Sequence, residues 1–275
     1  MKKFENNMDG YEEMAKFILN SFGNIEQFKI KDSANISVLF LAGAPGSGKT
    51  EFLETIFKDF HESFIIIDID KYRTLFKGYN GSNSDVYQNG SVKVADKILK
   101  FCFKKDLNFV FDGTFRNYNK IKQNFGQCKK YNRFSLITLI FQEPRLSFYY
   151  TFLRKIEKKR NVPIDVFVDG FYSSIENVFK AIGNFDNTEL MIAHKVYTPL
   201  NTGKGIFKID NKTDNIYKFC EKYRLFYKKG KFLYREKLIL DINIYNDILI
   251  KEIVGNGTTL GKLNIWFYNI ISKYF

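Results

Sequence analysis

Cysteine, proline and long apolar runs are scarce in this chain, and each scarcity removes a class of protein. The 275 residues include 3 Cys, at positions 102, 128 and 220. They are odd in number and widely spaced, with no Cys-x-x-Cys pair. That excludes a disulfide framework and a cysteine zinc site and fits a reducing compartment. No stretch approaches the roughly 18 uncharged apolar residues of a membrane span. The charged N-terminus leads into no signal-type apolar core. A soluble, cytoplasmic protein without a membrane partner is therefore expected. Proline is held to 4 residues, and neither an internal repeat nor a clear linker divides the chain.

Negative charge is the remaining deficit. Asp and Glu number 30 against 43 Lys and Arg, a net charge of +13. Such a balance attracts anions: nucleotides, nucleotide sugars, nucleic acid or an acidic partner protein. The excess is concentrated late, since residues 196–275 hold 14 Lys and Arg against 7 Asp and Glu. What the chain does have is apolar mass. Hydrophobic residues make up 45%, with 30 Phe and 17 Tyr, enough for one large domain or one domain with an appendage.

The stretch Gly43-Ala44-Pro45-Gly46-Ser47-Gly48-Lys49-Thr50 fits the phosphate-loop pattern G-x-x-x-x-G-K-[ST] at every position. The apolar run 36–42 precedes it as a strand, and residues 50–57 follow with apolar residues at helical spacing. Strand, glycine turn and helix form the context in which backbone N–H groups converge on phosphate oxygens, helped by the helix N-terminus. Lys49 is placed to neutralise β/γ-phosphate charge and the Thr50 hydroxyl to ligate Mg²⁺, so ATP and Mg²⁺ are the expected cofactors.

Taken in order, the chain alternates strands and helices. A short helix is predicted over 8–19. A second buried strand is predicted over 64–70, ending in Asp68 and Asp70, and a loop over 78–91. Helix 92–105 leads to strand 107–111, which runs into Asp112-Gly113-Thr114-Phe115-Arg116. Helix 117–130, strand 134–141, helices 144–159 and 164–182 and strand 189–193 complete the series. This alternation implies right-handed crossovers and an α/β fold, a doubly wound, mostly parallel sheet flanked by helices. The expected organisation is a phosphate-loop kinase domain over 1–195 and a basic C-terminal extension over 196–275, packed on it. The extension is less regular, with a strand-like patch at 205–210.

Phosphoryl transfer needs a group that orients or deprotonates the acceptor hydroxyl, and positive charge for the moving phosphate. Asp70, at a strand end where open parallel sheets bind ligands and three residues before Arg73, fits the first role. Equally, Asp68 or Asp70 caps the following helix. Asp112, Gly113 and Thr114 read either as a turn or as an acidic, hydroxyl-bearing ledge of the same cleft. Arg154 and Arg160 belong to a basic run that reads as a solvated face or supplies an in-chain arginine finger. In the tail, residues 218–229 interleave cations with aromatics. Strand-binding surfaces do the same, as does the solvated side of an amphipathic helix.

At these residues the chain resembles the zeta-toxin family of phosphate-loop kinases, the toxin half of bacterial toxin–antitoxin pairs. The motifs are the phosphate loop, then Ile67-Asp68-Ile69-Asp70-Lys71-Tyr72-Arg73 for the family's "ID-x-D-x-[FY]-R", then Asp112-Gly113-Thr114-Phe115-Arg116 for its "EGT-x-R". The late arginines match Arg154 and Arg160, the latter in an "R-x-x-P" stretch, and the likeness covers roughly residues 36–195. The resemblance implies transfer of the ATP γ-phosphate to a hydroxyl of a UDP-amino sugar, typically UDP-N-acetylglucosamine. It assigns Asp70 as base and Lys49, Arg116, Arg154 and Arg160 as charge-stabilising groups. Asp70, Arg73, Asp96, Asp112 and Thr114 fall on the acceptor side, with Asp96 located by counting back without gaps. It also implies a small helical antitoxin. Two acidic positions that are usually Glu, 96 and 112, are Asp here. The segments between Asp70 and Asp96 and between Arg154 and Arg160 are shorter than usual. Two other functions stay open. One is a kinase of a nucleic acid 5′-hydroxyl or a dinucleotide; the other is a non-catalytic nucleotide-binding regulator.

Overall fold

In the computed structural model the described residues are 2–196, apart from 33–34, 56–57 and 59–60, together with 206–210 and a few positions between 227 and 247. The elements in order are α1 (Met8–Ser21), β1 (Ile36–Ala42), α2 (Lys49–Thr55), β2 (Ile65–Asp68) and α3 (Ile69–Arg73). Then come α4 (Gln88–Lys104), β3 (Phe109–Asp112), α5 (Tyr118–Lys130), β4 (Phe134–Phe141), α6 (Pro144–Lys158), α7 (Ile164–Ile182), β5 (Thr188–Val196) and β6 (Ile206–Asp210).

The strand order is β2-β3-β1-β4-β5-β6. The first five run parallel and β6 pairs antiparallel with β5. β1, the strand before the phosphate loop, is therefore central, flanked by β3 and β4. Its run ISVLFLA is buried from Ser37 onward, as a strand covered on both faces of a parallel sheet must be. Alternation along it divides the core. Val38, Phe40 and Ala42 join the cluster formed with α1, α4, α5, α6 and α7. Leu39 and Leu41 face the other way, where Phe52 of α2 packs. Beneath the loop, the Phe40 ring meets Phe109, Phe111, Phe115 and Phe125, with centroids 4.7–6.4 Å apart. At the opposite end of the strands, buried Arg133 ties β1 down, its Nε donating to Ser37 Oγ at 2.9 Å. Cys102 and Cys128 are buried free thiols, pushed up to about 12 by that burial, which makes them inert.

Three boundaries differ from the sequence reading. The second strand ends at Asp68, because its carboxylate accepts the Lys71 N–H at 2.9 Å and starts α3. Asp68 and Asp70 therefore do not share a strand face. α4 begins at Gln88 rather than 92, so the loop before it is shorter. β5 runs on to Val196 and pairs with 206–210, so the sheet continues beyond residue 195. Of the basic, aromatic stretch 218–229, only Tyr227–Lys228 is described, as a short strand paired with Lys231–Phe232; the rest lies outside the described residues. No helix among the described residues is long and apolar enough to cross a membrane.

Candidate active site

The phosphate loop leaves β1 at Gly43 and turns on glycines. Gly46 and Gly48 have φ of 76° and 94°, in the left-handed region that glycine enters freely. Space is as restrictive as conformation. A Cβ on Gly46 would lie 2.1 Å from the carbonyl oxygen of Ser147, and one on Gly43 would lie 2.5 Å from that of Ile140. Buried Gln142 donates to the Gly46 carbonyl at 3.2 Å. The loop is thus held from behind by β4 and α6. Gly46→Ala is expected to cost about 1–3 kcal/mol in backbone strain and to distort the cradle. Thermal melts with and without nucleotide measure both effects, and a variant that melts and binds like the wild type would overturn this account.

Lys49 Nζ donates to the carbonyls of Gly43 and Ala44, both at 3.0 Å. The ammonium is folded over its own loop rather than freely exposed. Burial lowers its pKa, while the charges of Asp112 and Asp70 act to raise it. Thr50 is exposed at the far end of the loop.

Two strands supply the acids. β2 and β3 are in register, with Asp68 opposite Asp112, so their C-terminal ends bring carboxylates together. Asp68 is the N-cap of α3. Asp70, in the first turn of α3, keeps 47% of its side-chain surface open to the cleft. Arg160 grips it with both terminal nitrogens, at 2.6 and 3.1 Å, and Arg73 binds it one helical turn on. Burial acts to raise its pKa, but the charges of Arg160 and Arg73 outweigh this and hold the carboxyl below the usual carboxylate range. Arg160 can reach Asp70 because α6 stops at Lys158 and Lys159 takes a left-handed conformation, φ 56°.

Asp112 is the reverse case. Burial, with Asp68 and Asp70 adding to it, pushes its carboxyl up to about 7 although Lys49 and Arg154 pull against the rise. A carboxyl raised on folding contributes stability below its unfolded pKa and loses that contribution as pH rises through the folded value. Asp112→Asn is therefore expected to become more stable relative to wild type as pH climbs from about 4 to about 7, with the gap constant above that. Paired thermal melts across this range provide the check. A gap that narrows with pH would reverse the assignment.

These groups line one cavity of about 1270 Å³. Its walls include Pro45 to Thr50, Asp70, Arg73, Asp112, Thr114, Arg116, Arg154 and Arg160. Nearly every site residue expected from the sequence is thereby gathered in one place. Gly43 and Ala44 lie behind the lining, within the loop. Asp96 is not part of the lining. It pairs with Lys120 at 2.5 Å, and Lys120 is the member of the pair that borders the cavity. From the α4 side the wall is formed by Gln88, Asn89 and Val92 instead. Counting back from Asp112 without gaps stops short of these residues, because α4 meets the cavity with its first two turns. Sequence reasoning also misses Asp169 of α7, which lines the cavity and accepts Arg116 Nε at 2.5 Å. No local signal marks it, since a polar residue within an amphipathic helix reads as solvent-facing.

A nucleotide cradle after the central strand, with acids at the ends of the next two strands and arginines closing over them, defines a phosphate-loop kinase. The chain belongs to the zeta toxin family, which residues 24–201 match. Among solved structures it is similar to a chain of the PezAT chromosomal toxin–antitoxin system of Streptococcus pneumoniae. The identity is 18% and the TM-score 0.54, with 87% of this chain and 96% of that chain covered. It is also similar to a chain of the AvrRxo1-ORF1:-ORF2 complex with ATP, at 14% identity and TM-score 0.57 over 79% of this chain and 73% of that one. The native form of that complex gives 14% and 0.56, over 76% and 70%. At such identities the likeness concerns the fold. No curated protein matches the chain in sequence.

Proposed function

We propose that this protein is an ATP-dependent kinase toxin that phosphorylates a hydroxyl of a UDP-amino sugar such as UDP-N-acetylglucosamine, and that a small helical partner restrains it. The observation that carries the reading is the single cavity shared by the phosphate loop, Asp70, the Asp112–Arg116 strand end, Arg154 and Arg160. Donor and acceptor meet there. ATP lies with its phosphates on the glycine cradle, whose close walls a side chain would fill. The AvrRxo1 complex described with ATP supports that donor, and PezAT, described as a toxin–antitoxin system, supports a partner.

The acceptor hydroxyl attacks the γ-phosphorus, a new O–P bond forms, and the bond to the bridging oxygen breaks as ADP leaves. The proton of the hydroxyl passes to Asp70. In a loose transition state the acceptor oxygen grows acidic as its bond to phosphorus forms, so a carboxylate of low pKa suffices. Arg160 turns from Asp70 to the transferring phosphate, which frees the carboxylate when the donor is in place. Lys49 and Arg154 offset phosphate charge. Thr50 with Asp112, both in the cavity lining, would hold Mg²⁺, which takes one or two carboxylates plus phosphates rather than an all-protein cage. The ion would supply charge neutralisation at the β- and γ-phosphates.

The test is incubation of the protein and ATP with UDP-sugars, dinucleotides and oligonucleotides, followed by mass analysis. A phosphorylated UDP-amino sugar is the expected product. Transfer only to a dinucleotide or an oligonucleotide 5′-hydroxyl would replace the acceptor, and no transfer to any of them would remove the kinase reading for this chain.

A further inference from the structure

Past β3 the chain crosses Gly113 to Asn117 before α5 begins, and this crossing carries Thr114 and Arg116. Phe115 in its middle has φ 58°, a left-handed conformation that a bulky residue avoids. Something must hold it there. Part of the hold is apolar: the buried Phe115 ring packs with Phe40 and Phe125, centroids 6.2 and 6.3 Å away. The rest comes from α7. Asn177 Nδ2 donates to the carbonyl of Phe115 at 3.0 Å and to that of Arg116 at 2.7 Å. A side-chain amide nitrogen has two N–H donors, so one amide satisfies two successive peptide oxygens. With Asn177 only 5% exposed, water is a poor substitute.

Asn177 does not act alone. One and two helical turns earlier, on the same face of α7, stand Ser173 and Asp169. Ser173 Oγ donates to Asp169 Oδ1 at 3.3 Å, and Asp169 Oδ2 accepts Arg116 Nε at 2.5 Å. α7 thus holds Arg116 twice, by its backbone carbonyl and by its guanidinium. A guanidinium carries five N–H donors. The Asp169 contact uses the one on Nε, which suits the terminal pair to a phosphate oxygen on the cavity side.

We infer that Asn177 is a positioning residue. It never touches substrate, but with Asp169 it presets Arg116 for a phosphate group in the cavity. This rests on the proposed kinase reading for the role of Arg116, while the holder itself is a matter of structure. The experiment has two arms, both on the full chain. In the first, hydrogen–deuterium exchange is compared for wild type, Asn177→Leu and Asn177→Asp. The Asp variant keeps the size and removes the donor. Faster exchange over 113–117, with β3 and the phosphate loop unchanged, is expected, and unchanged exchange over 113–117 overturns the holder whether or not the protein proves active. In the second, kcat and KM for ATP and for the UDP-amino sugar are measured in a double-mutant cycle with Arg116→Ala. Each Asn177 variant alone is expected to lower kcat/KM for the acceptor about 10–100-fold, the scale of lost supporting contacts, with KM for ATP unchanged. In the Arg116→Ala background the same change is expected to add little, because coupled residues are non-additive. Full additivity would mark Asn177 as merely structural and overturn the proposal. Wild type that is inactive on every acceptor would defeat the kinase reading instead, leaving the exchange arm to decide the holder.

Discussion

Asp70→Asn is expected to lower turnover about 10²–10⁴-fold, the usual contribution of a positioned base, while nucleotide affinity stays near wild type. The amide keeps the size of the carboxylate and one acceptor oxygen, so the acceptor can still be oriented, but it cannot take the proton. The phosphate loop lies on β1 and α2 and is untouched. The variant also loses the charge that holds Arg160 and Arg73, so some loss of thermal stability accompanies the loss of turnover. Asp68 supplies the control. As the N-cap of α3 it is replaceable by Asn, which caps equally well, whereas Asp68→Ala is expected to cost about 0.5–2 kcal/mol. Turnover, nucleotide affinity and melting temperature are measured for all three variants. Full turnover in Asp70→Asn, or a purely chemical defect in Asp68→Asn, would overturn the assignment of the base.

Lys49→Ala is expected to cut phosphoryl transfer by at least about 10³-fold, the scale of losing one fixed donor aimed at developing phosphate charge. The fold should survive. Among the described residues Lys49 Nζ hydrogen-bonds to loop carbonyls, those of Gly43 and Ala44, and burial already works against its charge. Lys49→Met, closer in volume, separates lost charge from lost packing. Single-turnover transfer and thermal melts provide the readouts. Near-normal transfer would exclude the proposed role, and equal losses of stability and activity would mark a structural lysine.

How much of this could be read from the sequence depends on which force sets each feature. β1 and β4 are legible to the residue, because central parallel strands are buried on both faces and read as unbroken apolar runs. The end of β2 is not, since Ile69 extends the apolar run while the Asp68 cap turns the chain into a helix. The start of α4 is hidden for a related reason. Gly90 and Ser91 are buried there, and a Cβ on Gly90 would strike Asn6, Phe76 and Tyr11. Close helix packing selects small residues that carry no hydrophobic period. In the site, residues within ordered motifs are legible: the phosphate loop, Asp70 and Asp112 to Arg116. Those that act from across the fold are not. Asp169 and Asn177 need the packing of α7 over the β3–α5 crossing, which no local pattern encodes.

The central position of β1 also fixes when the protein can first act during synthesis. Its strand partners, β3 and β4, both follow it at a distance in sequence. The contacts that brace the loop, from Gln142 and Ser147, follow later still. At translation rates of about 5–20 residues per second, the phosphate loop waits on the order of 5–20 s for them to be made. Non-local strand pairing is then slow in itself. The part of the nascent chain that emerges early is thus completed late, and a partially translated protein holds no finished nucleotide cradle. The partner proposed above, if made alongside the chain, would have that interval in which to meet it before the cradle is complete.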